Sequence, residues 1–342
     1  MKHEIAVIGI DLAKSIFQVC AATTDGKRVF NRQIRRHELL PMLANLPVCL
    51  IGMEACSSSH YWAREIRKLG HDVKLMPPQY VKPYVKTNKS DNADADAICE
   101  AVTRPNMRFV AIKSPDQQAL LLLHRDRKGQ VRDRTALANR LRATLGEFGI
   151  IVPVGLNRLR EWLVTEYGQH QDSLPDLMQS HVARMSSRLS TLDAQIKELE
   201  REINAYALDS ELCRTLQEVP GIGPLTASAI VACAGDVRTF SNGRQFAAWL
   251  GLVPRQHSSG GKRQLLGISK RGDTYLRSML IHGARAIVRT LNPKRSATLW
   301  LEGLLRRRHK NVVVVAMANK LARIAWALLA KGGRYHEGQV FS

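Results

Sequence analysis

Negative charge is concentrated in one short segment of a chain that is otherwise strongly basic. The sequence KSDNADADA, residues 89–97, contains three aspartates within six positions. Asp91 and Asp94 are three residues apart, so they share one face of a helix, whereas Asp96 points elsewhere. Such a cluster indicates either a bound cation or the acid-rich first turn of a helix.

Two further carboxylates occur in apolar segments that resemble strands. Asp11 stands in the middle of the first predicted strand, between Ile10 and Leu12, whose side chains point to the opposite face. Glu54 closes a later strand in LIGMEACSSS, where side chains emerge from the sheet. A carboxylate in an apolar strand costs free energy unless it is paired or binds a metal.

We expect Asp11, Glu54, Asp91 and Asp94 to be catalytic residues that bind metal. Four hard oxygen ligands gathered at one sheet edge suit two Mg²⁺ ions roughly 4 Å apart. Such a pair would hold the attacking and leaving oxygens of a phosphodiester. For Asp91 and Asp94 alone, a helix N-terminus enriched in acids is an equal alternative.

A second motif is EVPGIGPLTASAI, residues 218–230. Its Gly-apolar-Gly turn between two predicted helices is typical of a helix-hairpin-helix, which binds the nucleic-acid backbone and does not read sequence. At Gly221 and Gly223 the main-chain amides would approach a phosphate without side chains in the way. A plain interhelical turn is the alternative.

A third motif is GLVPRQHSSGGKRQLLGISKRGDTYLR, residues 251–277, in which two serines precede two glycines. The basic residues predicted to bind nucleic acid around them are Lys262, Arg263, Lys270, Arg271 and Arg277. A serine hydroxyl is a poor nucleophile unless cations or a metal stabilise its alkoxide and the phosphorane that follows. Read alone, a Ser-Gly-Gly stretch more often forms a flexible loop.

The elements that would position the N-terminal carboxylates form an α/β domain over residues 1–115. Three short strands, EIAVIGID, SIFQVCAAT and RVFNRQI, form an antiparallel meander, with TDGK as one turn. The strands VCLIGM and DVKLM then alternate with the helices ELLPMLANL and SHYWAREIRKLG. This order predicts a mixed five-stranded sheet of the RNase H fold.

Residues 116–208 are predicted to form a basic helix and a coiled-coil connector. One face of the helix carries arginines and lysine, with Arg132 and Arg140 expected to bind nucleic acid, although a solvated face is the alternative. The apolar residues from Val182 to Ile203 follow three-four spacing, which is typical of a coiled coil. We favour self-association through it over a helical hairpin within one chain. Residues 209–342 are predicted to form a mostly helical domain.

Composition favours a polyanionic partner in the cytoplasm. The chain has 51 Lys and Arg against 30 Asp and Glu, and residues 211–342 alone have 21 against 6. Nucleic acid is the leading partner because each neutralised phosphate releases counterions; an anionic membrane is second.

NVVVVAMANK is interrupted by Asn319 and Lys320 before a span is reached, so we expect no membrane segment. The six cysteines form no CxxC pair and are expected to be buried thiols.

The ordered set GIDLAK, GMEA, KSDNADADA, VPGIGPLTA and GLVPRQHSSGGKRQLLGISKRGDTYLR resembles the DEDD-type insertion-sequence transposases over nearly the whole chain. The resemblance implies a RuvC-like N-terminal domain, whose carboxylates map to Asp11, Glu54, Asp91 and Asp94. It also implies a C-terminal domain with a reactive serine, which maps to Ser259, with Ser258 a weaker match.

The resemblance further implies an enzyme that recombines donor and target DNA under the guidance of a structured non-coding RNA. In that family the serine forms a transient phosphoserine, and the acidic domain of a partner subunit supplies Mg²⁺. A homodimer or homotetramer is therefore expected. The RNA would give the basic helix and Arg306, Arg307 and Arg308 a partner.

Two other functions are compatible with the same residues. A junction-resolving nuclease would use metal-activated water and would not need the serine. A non-catalytic nucleic-acid scaffold would use only the hairpin and the basic helices, and it would leave Asp11 without an explanation.

Overall fold

The computed structural model describes residues 4–86, 90–259, 262–290 and 296–336. The side chains of residues 259, 263 and 296–299 lie outside this description. The chain divides into two units, Met1–Pro115 and Asp116–Ser342. The predicted division of residues 116–342 into a connector and a C-terminal domain stays a prediction.

The N-terminal unit contains the predicted five-stranded mixed sheet. Its strands are β1 (Val7–Asp11), β2 (Ile16–Ala22), β3 (Arg28–Arg35), β4 (Leu50–Glu54) and β5 (Asp72–Met76). The spatial order is β3-β2-β1-β4-β5, with antiparallel pairs among β1, β2 and β3 and parallel pairs from β1 to β4 and from β4 to β5. The RNase H-like order expected from the sequence is confirmed.

In the described part of this unit, α-helices flank or follow these strands. They are α1 (Leu39–Ala44), α2 (Ser59–Lys68), α3 (Pro78–Val81) and α4 (Asp91–Val102). Ile8 and Ile10 pack on the face that α1 and α2 cover, whereas Val7 packs with α4 on the other face. The unit therefore has two apolar layers separated by the sheet.

Close approach of α4 to the sheet requires glycine at two neighbouring strand positions. A Cβ atom at Gly9 would lie 2.5 Å from the amide nitrogen of Cys99, and one at Gly52 would lie 2.8 Å from the Cβ of Val102. Gly9 and Gly52 face each other in the parallel pair of β1 and β4. The two glycines let the backbone of α4 lie directly on the central strands.

The C-terminal unit is mainly helical. Its helices are α5 (Pro115–Gly146), α6 (Leu156–Thr165), α7 (Tyr167–Gln171), α8 (Asp176–Asp209), α9 (Glu211–Gln217), α10 (Pro224–Ala234), α11 (Gly243–Trp249), α12 (Thr274–Arg289), α13 (Ser296–Leu305) and α14 (Lys310–Lys331). A hairpin of β6 (Pro254–Ser259) and β7 (Lys262–Ile268) interrupts them. We predicted a loop with serines at this position, so the hairpin corrects the sequence-based expectation.

The apolar seam of α8 is buried within the chain. Val182 and Leu189 pack in one cluster with Leu141 and Leu145 of α5 and with Trp162 of α6. This arrangement corrects our preference for self-association through the seam, because the helical hairpin already covers it. The seam alone does not distinguish a partner helix of another chain from one of the same chain.

Ion pairs fix the antiparallel register of α5 and α8. The guanidinium of Arg127 donates to Glu200 at 2.8 Å, and that of Arg134 donates to Asp193 at 3.1 Å. Along α5, Arg134 follows Arg127 by one heptad, whereas along α8 its partner Asp193 precedes Glu200 by one heptad. The two helices are therefore antiparallel. Each heptad spans about two turns, so the same helix faces meet at both pairs.

One helix of the described chain, α14, is long and apolar enough to cross a membrane. Half of its most apolar window is buried inside the C-terminal unit, where Val313, Met317 and Leu321 join the largest apolar cluster. The apolar residues of α14 therefore form part of the core of the C-terminal unit.

All six cysteines are free thiols. Four are buried as expected, Cys233 is half-buried, and Cys56 is exposed.

Candidate active site and nucleic-acid surface

Asp11 and Glu54 end adjacent parallel strands at the same edge of the sheet. The last paired residues are Ile10 and Met53, and each carboxylate follows one position later. Side chains alternate along a strand, so Asp11 shares the α4 face with Gly9, and Glu54 shares it with Gly52. Asp11 is the last residue of β1 and not in its middle, which corrects the expected position. Both carboxylates are half-buried.

Asp91 and Asp94 form the first turn of α4. The Ser90 hydroxyl accepts a hydrogen bond from the Ala93 amide at 3.3 Å and caps this helix, which explains why it begins here. Asp94 is half-buried and Asp91 is exposed. Both acids therefore also meet the expectation for a helix N-terminus, where the dipole favours negative charge.

Asp96 lies on the opposite flank of α4 and has structural partners. It accepts hydrogen bonds from the Asn31 amide at 2.9 Å and the Cys20 thiol at 3.0 Å, and it pairs with Arg28 at 3.1 Å. Two residues correspond to about 200° around a helix, so Asp94 faces away from these partners. The cavity beside Asp96 is lined by Val7, at the start of β1, and by the flank of α4 that carries Ala93, Asp96 and Glu100.

The described residues do not assemble a metal-binding cluster. Among them, no group of three or more His, Cys, Asp and Glu side chains is arranged to hold a metal ion. The donors nonetheless fit a hard divalent cation in kind, because the side chains of Asp11, Glu54 and Asp94 are all carboxylates. The metal site therefore stays a prediction.

The predicted hairpin of residues 218–223 joins α9 to α10, and its two glycines have different environments. Gly221 has a φ of +85°, and a Cβ there would lie 2.9 Å from the carbonyl oxygen of Gly283 in α12. Gly221 is thus required for the turn and for packing on α12. Gly223 precedes the N-terminus of α10, and an added Cβ would meet no described atom within 4 Å. Of the two positions, Gly223 is the one with room for an approaching phosphate.

The doubled serine ends the first strand of an exposed hairpin. Ser258 pairs with Arg263 and Ser259 with Lys262 across the strands. The Ser258 hydroxyl accepts a hydrogen bond from the Gln256 side chain at 2.9 Å. The side chains of Ser259 and Arg263 lie outside the described part of the structure, so their predicted roles are not examined by it.

The basic residues predicted around the serines separate into two groups. Lys262, Lys270 and Arg271 are exposed, as a phosphate-binding role requires. Arg277 is only 7% exposed, and its guanidinium donates to the carbonyl oxygens of Leu250 at 3.0 Å and Arg271 at 3.2 Å. Placing Arg277 on nucleic acid was therefore wrong, because its donors are used to hold the chain before α12.

The basic face of α5 also separates into two groups. Arg127 and Arg134 pair with acids of α8, and they are not available as a phosphate surface. Arg132 and Arg140 are exposed. Arg132 has one contact of 3.5 Å with the exposed Asp133, and exposed pairs of this kind contribute little stability. Arg132 and Arg140 remain the expected nucleic-acid contacts of this helix.

One buried polar network gave no signal in the sequence. His124 of α5 is 1% exposed, and its ring nitrogens lie 3.0 Å from the hydroxyls of Tyr275 in α12 and Ser228 in α10. Burial, with a smaller effect of Arg127, lowers the pKa of His124 to about 4. The histidine is thus neutral at pH 7 and connects three helices. A single His in a helix offers no pattern that predicts this role.

Comparison with protein families supports the motifs on which the site was predicted. Residues 8–150 match a DEDD-type transposase model, and residues 213–300 match the model of the transposase IS116/IS110/IS902 family. The first match contains all four carboxylates, and the second contains the glycine hairpin and both serines.

Curated relatives align over nearly their full lengths. A probable family 20 transposase of Pseudomonas aeruginosa is 52% identical over 97% of this chain and 98% of its own. The transposase for insertion sequence element IS1328 of Yersinia enterocolitica is 42% identical, over 96% of this chain and 98% of its own. The transposase for element IS1111A of Coxiella burnetii is 41% identical, over 98% and 92%.

The mixed sheet, the carboxylates at its edge and the family matches define an enzyme with an RNase H-like DEDD domain. The chain belongs to the IS116/IS110/IS902 family of insertion-sequence transposases, enzymes that cut and rejoin DNA.

Proposed function

We propose that this transposase recombines DNA through a serine nucleophile that works with a carboxylate-bound metal. The observation that carries the proposal is the placement of Asp11 and Glu54 at the ends of adjacent parallel strands, on the face that α4 covers. The edge acids meet the chemical requirement for binding a cation that stabilises phosphate charge. The family matches support the second half, since they include the serine hairpin.

Asp11, Glu54, Asp91 and Asp94 would hold Mg²⁺ in this proposal. The metal supplies Lewis-acid stabilisation of the charge that develops on a phosphodiester. The first turn of α4 places Asp91 and Asp94 on one continuous element, so the cap by Ser90 also positions them. The number of ions is proposed to be two, by analogy with other carboxylate-rich phosphoryl-transfer sites.

In the covalent step, Oγ of Ser259 attacks the phosphorus of a phosphodiester. The bond from phosphorus to the leaving oxygen breaks, and that oxygen takes a proton and departs as a free DNA hydroxyl. The proton of Ser259 is lost in the same step, so charge is conserved. Attack by a hydroxyl of another DNA end then releases the serine and rejoins the strands. The exposed cations Lys262, Lys270 and Arg271 would stabilise the pentavalent intermediate.

The nucleic-acid partners are donor DNA, target DNA and a structured guide RNA. Gly223 would approach a backbone phosphate, and Arg132 and Arg140 would bind a nucleic-acid backbone. The excess of 21 Lys and Arg over 6 Asp and Glu after residue 210 supports strong binding by the C-terminal unit. We also propose a dimer or tetramer in which the acidic unit of one subunit acts with the serine of another.

A matched pair of serine variants tests the covalent step. Wild-type protein incubated with DNA that carries the ends of the element should yield a protein–DNA adduct after denaturation, and Ser259→Ala should abolish it. Ser258→Ala is the control, because it removes the neighbouring hydroxyl of the same strand and leaves the Ser259 hydroxyl in place. This variant should retain the adduct. Normal cleavage by Ser259→Ala would instead support a metal-dependent junction-resolving nuclease that uses water.

A further inference from the structure

The C-terminal unit contains a groove of about 1220 Å³ that has no role in the chemistry proposed above. Residues of β7 and α14 form most of its lining, and α13 contributes Trp300. Among the described residues, the basic side chains that line it are Arg308, Lys320 and Arg323. Within the described part of the chain, no aspartate or glutamate lines this groove.

The walls of the groove expose apolar side chains. Leu265 and Leu266 of β7 are 55% and 42% exposed, and Val312 of α14 is 55% exposed. Adjacent exposed apolar side chains in a concave surface indicate a binding site. On the indole of Trp326, the Nε1 group donates to the Val237 carbonyl at 3.0 Å, so this ring is held as a fixed part of the wall.

Lys320 lies near Arg323 and over an aromatic ring. Nζ of Lys320 is 4.7 Å from the centroid of the Trp300 ring. Burial, and secondly the charge of Arg323, lower the pKa of Lys320. The described lining contains three cations and no carboxylate, so the electrostatic potential of the groove favours a bound anion.

We propose that this groove binds one unpaired nucleotide of the nucleic acid on which the transposase acts. Its base would pack against Trp300 and the leucines of β7, and its phosphate would bind Arg308 and Arg323. A nucleotide combines a flat apolar body with a negative charge, which are the two properties that the lining complements. The inference rests on the proposed function, since it assumes that DNA or RNA reaches the C-terminal unit.

Continuity with the serine hairpin favours a nucleotide over an acidic peptide. Leu265 and Leu266 belong to the same strand as Lys262, which pairs with Ser259. Three residues of a strand span about 10 Å, so the groove begins within one or two nucleotides of the proposed nucleophile. A strand of nucleic acid held at the serine would therefore pass the groove.

The test compares three labelled DNA duplexes by fluorescence anisotropy with the full-length protein. The first contains a single bulged nucleotide, the second has an abasic residue at the bulge, and the third is fully paired. We expect the bulged nucleotide to bind about tenfold more tightly than the abasic duplex, within the range for stacking of one base on an aromatic side chain.

Two pairs of variants assign that preference to the groove. Val312→Glu adds negative charge at an exposed wall position and should abolish the preference, whereas Leu177→Glu, at a 77% exposed position in α8, should leave it intact. Arg323→Gln should weaken binding of the bulged duplex about tenfold more than Arg289→Gln, an exposed α12 arginine outside the groove. Because Val312 is exposed, its replacement tests the groove without disturbing the core.

Several outcomes would overturn the inference without affecting the proposed function. Equal binding of all three duplexes by the wild type would do so, as would an unchanged preference in Val312→Glu. A change of assembly mass in Val312→Glu, measured by light scattering with the preference intact, would identify the groove as a protein interface instead. If the wild type binds none of the duplexes or the element's RNA, the proposed function fails as well.

Discussion

At the residue scale, Arg277 shows how burial changes the role of a cation. Its position at the end of the basic segment SKRGDTYLR suggested a phosphate contact, but it is buried and donates to two main-chain carbonyls and to the Thr274 hydroxyl. The neighbouring Arg271 is exposed and contributes its carbonyl to the same contact. Sequence gives both residues the same charge, and only the fold separates them.

Replacing Arg277 should therefore lower the free energy of unfolding more strongly than it lowers the affinity of the folded protein for nucleic acid. Arg277→Ala leaves buried carbonyls without donors, and we expect a loss of about 2–4 kcal/mol in the free energy of unfolding. Arg271→Ala should change that free energy by less than about 0.5 kcal/mol and weaken DNA binding. Urea denaturation and anisotropy distinguish the two. Unchanged stability in Arg277→Ala would contradict the structural role.

His124 should make the stability of the C-terminal unit depend on pH in the acidic range. Its pKa is about 4 in the folded protein, against 6.5 for an ordinary histidine. Between these values the unfolded chain binds the extra proton, so stability is fully present above pH 6.5 and falls as pH drops toward 4. From pH 7.5 to pH 5 we expect a loss of roughly 2 kcal/mol.

His124→Gln is the variant that isolates this effect. It should be less stable than the wild type at pH 7.5, because Ser228 and Tyr275 lose a well-placed partner. It should also lose about 2 kcal/mol less between pH 7.5 and pH 5 when urea unfolding is measured at both. An identical pH dependence in the two proteins would mean that other groups cause it.

At the scale of elements, the glycine hairpin and α12 are fitted to each other. A Cβ at Gly283 would lie 1.9 Å from the carbonyl oxygen of Gly221, so either the helix or the hairpin would have to move. Gly223, two residues further along the chain, has open space beside it. The same motif thus contains one glycine that packs and one at which a ligand can approach.

Gly283→Ala should mainly lower stability, whereas Gly223→Ala should mainly weaken DNA binding. The first should lower the free energy of unfolding by about 2–3 kcal/mol through a clash in a packed interface. The second should cost less than about 1 kcal/mol in stability, the scale of a weakened helix cap. It should weaken DNA binding if the α10 N-terminus contacts phosphate. Thermal unfolding together with anisotropy would show whether stability and binding respond separately.

The elements differ in how well the sequence predicts them. The five strands of the sheet were recognisable because apolar residues alternate or run continuously within them. The hairpin of β6 and β7 was missed because PRQHSS has no apolar alternation, and its strand residues are largely exposed. The Gly260-Gly261 dipeptide between two short extended segments was the available signal.

The seam of α8 shows a different limit. Its three-four spacing predicts an apolar partner, and α5 and α6 provide that partner within the chain. A helix from a second copy would satisfy the same pattern equally well, since the contact is formed by the side chains alone. Arg127 and Arg134 completed the hairpin, but in sequence they were indistinguishable from the exposed Arg132 and Arg140.

At the scale of the whole molecule, the acids and the serine belong to different units of the chain. Asp11, Glu54, Asp91 and Asp94 lie in Met1–Pro115, whereas Ser259 lies in Asp116–Ser342. A proposed active site that uses both requires the two units to cooperate, either within one subunit or between subunits. The four acids were predictable because apolar strands and helix starts make carboxylates conspicuous. Their assembly is not predictable from spacing alone.

Mixing two inactive variants decides which subunits cooperate. Asp11→Asn and Ser259→Ala should each abolish strand exchange when expressed alone. If the acids of one subunit act with the serine of another, a mixed dimer of the two variants contains one intact site. Random pairing should then restore about a quarter of the wild-type activity, because half of the dimers are mixed and each has one of two sites intact. The measurement is recombination between plasmids that carry the element's ends, in cells that also express its RNA.

The control for this mixture places both changes in one chain and co-expresses it with the wild type. Under the same random pairing, the mixed dimer now has one subunit with both wild-type residues and one subunit with neither. If the acids of one subunit act with the serine of the other, neither site of this mixed dimer is intact. Only the wild-type dimers then contribute, so the activity should be about a quarter of that of the wild type. In an arrangement within one subunit the mixed dimer keeps one site, so this co-expression gives about half. In that arrangement the mixture of single variants gives none, and such a result would exclude cooperation between subunits.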